Sequence, residues 1–258
     1  MNGVDEPLLR MVGLRKSFAG VVAVDDVSLD VPAGKLVGVL GPNGAGKSTL
    51  FHLIAGHLRP DRGRVLLGGV EITRLRPHQR AALGIGLVFQ MPRLFTGMTV
   101  LDNVMTGCHR HGRSGMISAA LRLPRHHRDE RAAERVSRTH LATLGLESLA
   151  DDRVAGLPFG LQRRVAVAQA LGVAERLLLL DEPAAGLTGG ERVALARSIA
   201  QLRDTGMSIL LIEHDVRFVA AIADALLVLD RGSVLASGAV SDVLADPKVI
   251  AAYSGVSA

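Results

Sequence analysis

The sequence has one cysteine, no tryptophan and one tyrosine, and aromatic residues make up 3% of its 258 residues. Cys108 alone cannot build a disulfide framework, which is typical of proteins from a reducing compartment. A binder of single-stranded nucleic acid needs aromatic rings on which bases stack, and this chain has few of them. We therefore expect no nucleic-acid partner.

Long apolar runs are also missing. No segment reaches the roughly 18 consecutive apolar residues that a membrane-spanning helix needs, and the most apolar candidate, Phe218 to Leu229, contains Asp224. Residues 1–10 carry acids and lack the apolar core of a signal peptide, so we expect a soluble chain. Hydrophobic residues still make up 48% of the sequence, which predicts a buried sheet, a subunit interface, or both.

The charge balance is basic, with a formal net charge of +5. Such a balance occurs in proteins that bind nucleic acid or anionic membranes, but it also follows from an arginine-rich composition alone. The arginines concentrate between positions 110 and 138, together with several histidines. This arginine-rich stretch fits a contact with membrane subunits or lipid headgroups, and it equally fits a solvated helix surface.

Apolar runs alternate with helical patterns along most of the chain, which predicts an α/β fold with a mostly parallel sheet. The first segment instead alternates apolar and polar residues, which predicts an N-terminal antiparallel β subdomain. Strands are predicted at 8–12, 21–31, 36–40, 64–67, 70–72, 85–89, 176–180, 208–212 and 225–229. Helices are predicted at 48–58, 162–174, 190–203 and 216–223.

Between 91 and 160 the chain becomes rich in Arg, Ala and Leu, with few strand signals. Helices are predicted there near 99–106, 114–122 and 127–144, so we expect a helical subdomain inserted into the core. Residues 1–258 are thus predicted to form a single domain, in which 1–90 and 161–258 make up the core and the β subdomain.

The clearest motif is the segment from Gly41 to Ser48, which matches the phosphate-loop template Gly-x-x-x-x-Gly-Lys-Ser in full. Its glycines allow backbone N–H groups to turn inward around phosphates. Lys47 is expected to reach the outer phosphates, and the Ser48 hydroxyl to bind Mg²⁺. A strand pattern before the loop and a helix pattern after it favour an ATP site over a mere glycine-rich turn. The predicted nucleotide contacts here are Gly41, Pro42, Asn43, Gly44, Ala45, Gly46, Lys47, Ser48 and Thr49.

Two acids follow the very apolar run Leu177–Leu180. Asp181 lies at the carboxyl end of the predicted strand, which is where nucleotide sites hold magnesium. Glu182 is the candidate general base that polarises an attacking water. The alternative is an ordinary strand-to-loop junction with solvated acids, and the phosphate loop upstream in the same sheet favours the catalytic interpretation.

With these motifs the chain resembles the ATP-binding subunits of ATP-binding-cassette transporters over nearly its whole length. The resemblance implies that Gln90 senses phosphate and magnesium, that His214 contacts the outermost phosphate, and that Phe18 stacks on adenine. The segment Pro183–Thr188 lies where the family has its D-loop. Each match alone has a structural explanation, but all occur in the family's order. The implied cofactors are ATP and Mg²⁺, with Lys47, Glu182 and His214 in catalysis and Ser48, Gln90 and Asp181 around the metal.

Finer features are similar to the ATP-binding subunits of branched-chain amino-acid importers. They lie in the segments 93–104, 181–187, 211–215 and 246–255. This similarity implies transmembrane permease subunits, a second ATP-binding subunit in a homo- or heterodimer, and indirectly a substrate-binding protein. It also implies a peripheral location at the cytoplasmic face of the membrane. Importers for urea or other amides share these features and stay open as an alternative.

The main departure from the family lies in its signature, normally Leu-Ser-Gly-Gly-Gln. The corresponding residues 157–161 are Leu-Pro-Phe-Gly-Leu. In the family the serine hydroxyl and the glycine N–H groups donate to the terminal phosphate of ATP held by the opposite subunit. Pro158 has neither a hydroxyl nor an N–H, and each donor lost from a charged group would weaken the closed pair by about 1.5–3 kcal/mol. Our hypothesis is a heterodimer whose partner supplies an intact signature; slow hydrolysis overall is the alternative.

Other phosphate-loop classes fit less well. Soluble cassette proteins of translation or DNA repair carry tandem cassettes or a long coiled-coil insertion, and this sequence has neither. A phosphate-loop kinase would need an acceptor-binding lid, and it would not account for Gln90 and His214. A regulatory nucleotide-binding subunit without catalysis is consistent with Pro158, but the presence of Glu182 argues against it.

Overall fold

The computed structural model describes residues 6–91, 93–108 and 124–254. The strands, in chain order, are β1 (Leu9–Phe18), β2 (Val21–Val31), β3 (Leu36–Leu40), β4 (Arg62–Leu67), β5 (Val70–Glu71), β6 (Ile85–Val88), β7 (Leu177–Asp181), β8 (Ser208–Ile212), β9 (Ala225–Asp230) and β10 (Ser233–Ala239).

A six-stranded sheet in the order β10-β9-β3-β8-β7-β6 forms the centre of the fold. Its pairs are parallel except at one edge, where β10 runs antiparallel to β9. Every residue of β3, β7 and β8 is buried, because both faces of the sheet are covered. The carboxyl ends of these three neighbouring strands therefore emerge together at one sheet edge.

The second sheet is antiparallel, in the order β2-β1-β4-β5. Alternate side chains of β1, among them Leu9 and Met11, point into a buried cluster. This cluster also contains Phe51 and its neighbours in the helix that follows the phosphate loop. The loop and its helix are thus held between the two sheets.

The helices, in chain order, are α1 (Lys47–Ala55), α2 (Pro77–Ala82), α3 (Val100–Cys108), α4 (Pro124–Thr143), α5 (Phe159–Leu171), α6 (Gly189–Asp204), α7 (Val216–Ala220), α8 (Val240–Ala245) and α9 (Pro247–Ser254). The helices α3, α4 and α5 contact one another and form a helical layer. A capping box starts α6, in which Thr188 and Glu191 satisfy each other's backbone N–H groups.

The predicted α/β class with a mostly parallel sheet is confirmed. Three strands, β2, β3 and β8, have the predicted bounds, whereas β1 continues to Phe18, beyond the predicted end at 12. Helix α5 starts at Phe159 rather than at 162, since Pro158 provides an extended residue just before it. The strand β10 and the helices α2, α8 and α9 were not predicted. The helix predicted at 114–122 lies outside the described residues.

Candidate functional site

The phosphate loop connects β3 to α1 and is tightly surrounded by backbone. Gly46 adopts a φ of 98°, and a Cβ at this position would collide with the carbonyl oxygen of Ala23 in β2. The Ala45 carbonyl accepts a hydrogen bond from Gly232 N–H at 3.0 Å. Only glycine fits such an approach, so the sequence pattern and the packing of the loop agree.

Lys47 is 5% exposed, and its ammonium lies inside the loop. The Nζ donates to the carbonyl oxygens of Gly41 at 2.7 Å and Pro42 at 3.0 Å. Burial lowers the Lys47 pKa, and the carboxylates of Glu182 and Asp181 oppose that shift. The ammonium is therefore held where the loop closes, within electrostatic reach of both acids.

Asp181 ends β7, pairs in register with Ile212 of β8, and is 8% exposed. Burial and, after it, the charge of Glu182 raise the pKa of Asp181 to about 6. The charge of Lys47 opposes this shift without cancelling it, and a divalent ion beside the carboxylate would favour the charged form. This electrostatic imbalance fits the predicted role of Asp181 in holding Mg²⁺.

Glu182 follows immediately and adopts a φ of 43°, which is unusual for a residue with a side chain. Its N–H donates to the Ile212 carbonyl at 2.8 Å, so the ladder between β7 and β8 continues through this strained residue. Strain of this kind persists where the surrounding structure enforces it, and it concentrates at functional sites. Here it lies on the predicted general base.

The structure brings the predicted site residues Gln90, Glu182 and His214 together. Gln90 Nε2 donates to Glu182 Oε2 at 2.9 Å. His214 Nδ1 lies 3.6 Å from the same oxygen. Three segments that are far apart in sequence, following β6, β7 and β8, therefore converge on one carboxylate.

Glu213 is a residue of this site that sequence reasoning did not single out. It is fully buried, and its carboxylate accepts hydrogen bonds from the N–H groups of Ala184 at 2.8 Å and His214 at 3.1 Å. Glu213 thereby ties the segment after β7 to the segment after β8. Burial raises its pKa, and the two N–H donors oppose that shift. The signal in the sequence is an acid placed directly after the apolar strand β8.

The altered signature lies at the start of α5. The Gly160 N–H, which the resemblance assigns to a nucleotide phosphate, donates to Glu191 Oε1 at 3.2 Å. The ring of Phe159 is 38% exposed. Pro158 occupies the N-cap position and makes no side-chain cap hydrogen bond. In this arrangement the Gly160 N–H already donates to an acid of the same chain.

Phe18 lies at the end of β1 and is 44% exposed. The ammonium of Lys16 lies 5.5 Å from the centre of its ring. The exposed ring is compatible with stacking on a base, and that role stays a prediction.

The donor set fits ATP and Mg²⁺. The loop offers backbone N–H groups at a helix N-terminus and a buried ammonium, which suit phosphates. Ser48, Asp181 and the amide oxygen of Gln90 supply oxygen ligands, the type that Mg²⁺ prefers. Within the described residues no group of three or more His, Cys, Asp or Glu side chains could hold a metal ion. A magnesium site here would therefore share its ligands between protein, phosphate and water, as is usual for this ion.

A phosphate loop between a buried parallel strand and a helix, with an acid pair on a neighbouring strand, defines a phosphate-loop ATPase. Residues 24–185 match the ABC transporter family. The chain belongs to this family, as one of its nucleotide-binding, ATP-hydrolysing subunits.

Individual relatives agree with this assignment. The chain is 37% identical to the high-affinity branched-chain amino acid transport ATP-binding protein BraF of Pseudomonas aeruginosa, over 98% of this chain and 99% of BraF. It is also 37% identical to the lipopolysaccharide export system ATP-binding protein LptB of Acidithiobacillus ferridurans, over 96% of this chain and 97% of LptB. A crystal structure of an ATP-binding cassette of an ABC transporter in its ADP conformation is similar with a TM-score of 0.83 and 30% identity. That similarity covers 96% of this chain and 98% of the other.

Among the described helices, none is both long and apolar enough to cross a membrane.

Proposed function

We propose that this chain hydrolyses ATP to power a membrane importer of branched-chain or related amino acids. The observation that supports this most is the 37% identity to BraF, which extends over 98% of the chain. Gln90 and His214 both approach Oε2 of Glu182, which supports the proposal that the chain hydrolyses ATP.

In the proposed reaction the phosphate loop binds the nucleotide, and Lys47 neutralises its outer phosphates. Glu182 accepts the proton of the attacking water, and His214 orients the outermost phosphate. Ser48, Gln90 and Asp181 would hold Mg²⁺, which supplies charge neutralisation at the transferring phosphoryl group. Because Gln90 contacts Glu182 directly, it orients the base as well.

We further propose that the chain works as one of two ATP-binding subunits, beside transmembrane permease subunits at the cytoplasmic face of the membrane. The helical subdomain that we propose for residues 91–160 would contact those permeases. Pro158 lacks a donor and the Gly160 N–H is used by Glu191, which favours a heterodimer in which the second subunit carries the intact signature. A substrate-binding protein would deliver the solute to the permeases.

A cellular test addresses the solute. In the native host, deletion of this gene should abolish uptake of radiolabelled leucine, isoleucine and valine. The wild-type gene should restore uptake, and a Glu182→Gln gene should not. Loss of urea or amide uptake with normal leucine uptake would replace the proposed solute by the related one.

A second candidate function rests on the similarity to LptB, a lipopolysaccharide export protein. An exporter subunit would leave amino-acid uptake intact after deletion and would instead alter the lipid composition of the cell surface. The same deletion strain therefore distinguishes the two functions when its uptake and its surface lipids are measured together.

A further inference from the structure

Arg163 is a charged residue in the first turns of α5, yet it is 2% exposed. Its Nη1 donates to the carbonyl oxygen of Phe89 at 3.2 Å. Its Nη2 lies 3.5 Å from the carbonyl oxygen of Ala185, at the long end of hydrogen-bonding distance. The guanidinium thus bridges two backbone segments that are separated by the whole helical layer in sequence.

Both carbonyls belong to functional segments. Phe89 directly precedes Gln90, whose amide contacts the general base, and Ala185 lies three residues after Glu182. The guanidinium carbon of Arg163 also lies 4.9 Å from the ring centre of Phe159, the aromatic residue of the altered signature. One side chain therefore contacts the signature, the segment of Gln90 and the segment after Glu182.

The ring of Phe159 strengthens this link. A Cβ added at Gly186 would lie 3.4 Å from Phe159 Cε1, so the ring packs close to the segment after Glu182. Arg163 and Phe159 are four residues apart on one helix, a spacing that stacks side chains on the same face. A displacement of the ring would therefore move the guanidinium.

Stability alone is a poor reason for this arrangement. Burial lowers the pKa of Arg163, and its Nε has no hydrogen-bond partner among the described residues. Removing a charged group from water costs several kcal/mol, which two hydrogen bonds to carbonyls only partly offset. Arg163 occupies a position where an apolar residue would pack without an unpaired donor.

We propose that Arg163 is a positioning residue that couples the altered signature to the catalytic contact between Gln90 and Glu182. When the nucleotide of the second subunit docks against the signature, Phe159 shifts and moves the guanidinium. The carbonyls of Phe89 and Ala185 follow, and these set the orientation of Gln90 and Glu182. The coupling passes through packed, hydrogen-bonded groups with no gap between them. This inference rests on the ATP hydrolysis proposed above.

The experiment compares Arg163→Met with Arg164→Met in the full-length chain, alone and assembled with its partner subunits. Arg164 is the matched control, because it is the next residue of α5 and also donates its guanidinium to backbone carbonyls, those of Leu144 and Gly145. Those carbonyls directly follow α4, in a segment that contains none of the predicted site residues. Steady-state hydrolysis gives kcat and KM, and equilibrium binding of a fluorescent ATP analogue gives the affinity.

We expect Arg163→Met to lower kcat by about ten-fold or more while the analogue binds within about two-fold of wild type. Arg163→Lys should restore part of kcat, because it keeps the charge and one donor. Arg164→Met should change thermal stability only. Equal losses of kcat in the two methionine variants, or an Arg163→Met loss confined to stability, would overturn the proposal.

A double-mutant cycle with Gln90→Ala isolates the coupling. The proposed effect is on the contact between Gln90 and Glu182, which Gln90→Ala removes, so Arg163→Met should lower kcat by less than about two-fold once Gln90 is already alanine. Multiplicative losses would show independent effects and refute the mechanism.

If the wild type binds ATP without hydrolysing it, the proposed function fails by itself. Hydrogen exchange then decides: Arg163→Met, unlike Arg164→Met, should accelerate exchange in segments 86–91 and 183–188 together, and unchanged exchange would refute the coupling.

Discussion

The side-chain amide of Gln90 donates a hydrogen bond to Glu182 Oε2 at 2.9 Å. This bond occupies one oxygen of the carboxylate that we expect to accept the proton of water. Gln90, which would sense the nucleotide, therefore also orients Glu182, which would activate the attacking water.

Glu182→Gln should leave ATP binding within about two-fold of wild type and lower kcat by about 100-fold or more, because general-base catalysis typically contributes that much. Steady-state hydrolysis together with binding of a fluorescent ATP analogue checks this. The substitution keeps the size of the side chain, so folding should be unchanged. Hydrolysis at the full wild-type rate would contradict the assignment of Glu182 as the base.

Asp181→Asn should stabilise the nucleotide-free chain at neutral pH. Its folded pKa of about 6 lies above the ordinary value of 3.8, so folded Asp181 keeps its proton to higher pH than the unfolded chain does. As the pH rises from about 4 to 6, the free energy of unfolding of the wild type should therefore fall by a value on the order of 1–3 kcal/mol. The variant should not show this decrease. Thermal unfolding from pH 4 to pH 8 measures the difference, which should vanish at the acidic end. A difference that does not change with pH would contradict the prediction.

Glu213→Ala should lower the free energy of unfolding by about 2–4 kcal/mol, because it leaves the N–H groups of Ala184 and His214 without their acceptor. Glu213→Gln keeps an acceptor oxygen and should cost less. Urea unfolding measures both, with Glu147→Ala, at an exposed site, as the control expected to change little. Equal losses for the alanine and glutamine variants would show that packing rather than hydrogen bonding dominates.

Pro158→Ser should restore a hydroxyl and an N–H to the signature. If two copies of this chain form the closed pair in the assay, hydrolysis by the purified chain should rise by about ten-fold or more, as one regained donor to a charged group is worth about 1.5–3 kcal/mol. The variant should also stabilise α5 slightly, since serine is a good N-cap residue. Unchanged hydrolysis, with the stability gain observed, would mean that Pro158 is not what limits this side of the pair.

The buried core of the site was predictable because its strands carry local patterns. The apolar runs that became β3 and β8 predict parallel strands by themselves, and each is followed by a functional segment. Strand β10 was not predicted. None of its residues is fully buried, so its sequence shows no alternation of apolar and polar residues. The helix α2 is short, and it is anchored by the guanidinium of Arg80, which donates to the carbonyl of Leu53, 27 residues away in sequence.

The same limit applies to the partners of the site residues. Glu213, Arg163 and Glu191 act on backbone groups that lie 29, 74 and 31 residues away in the chain. A sequence motif consists of residues at fixed spacing, and the residues in these contacts have no fixed spacing in the sequence. They depend on how the sheet brings the ends of β6, β7 and β8 side by side.

The ammonium of Lys47 is bonded to the carbonyl oxygens of Gly41 and Pro42. A ligand must therefore offer this cation better partners than the two it already has. Adenosine and AMP have no outer phosphates to offer, so they should gain little from the lysine, whereas ADP and ATP would offer it charged oxygens in place of the two carbonyls. We therefore expect the loop to select nucleoside di- and triphosphates over monophosphates and nucleosides, because only the former offer the lysine new charged partners.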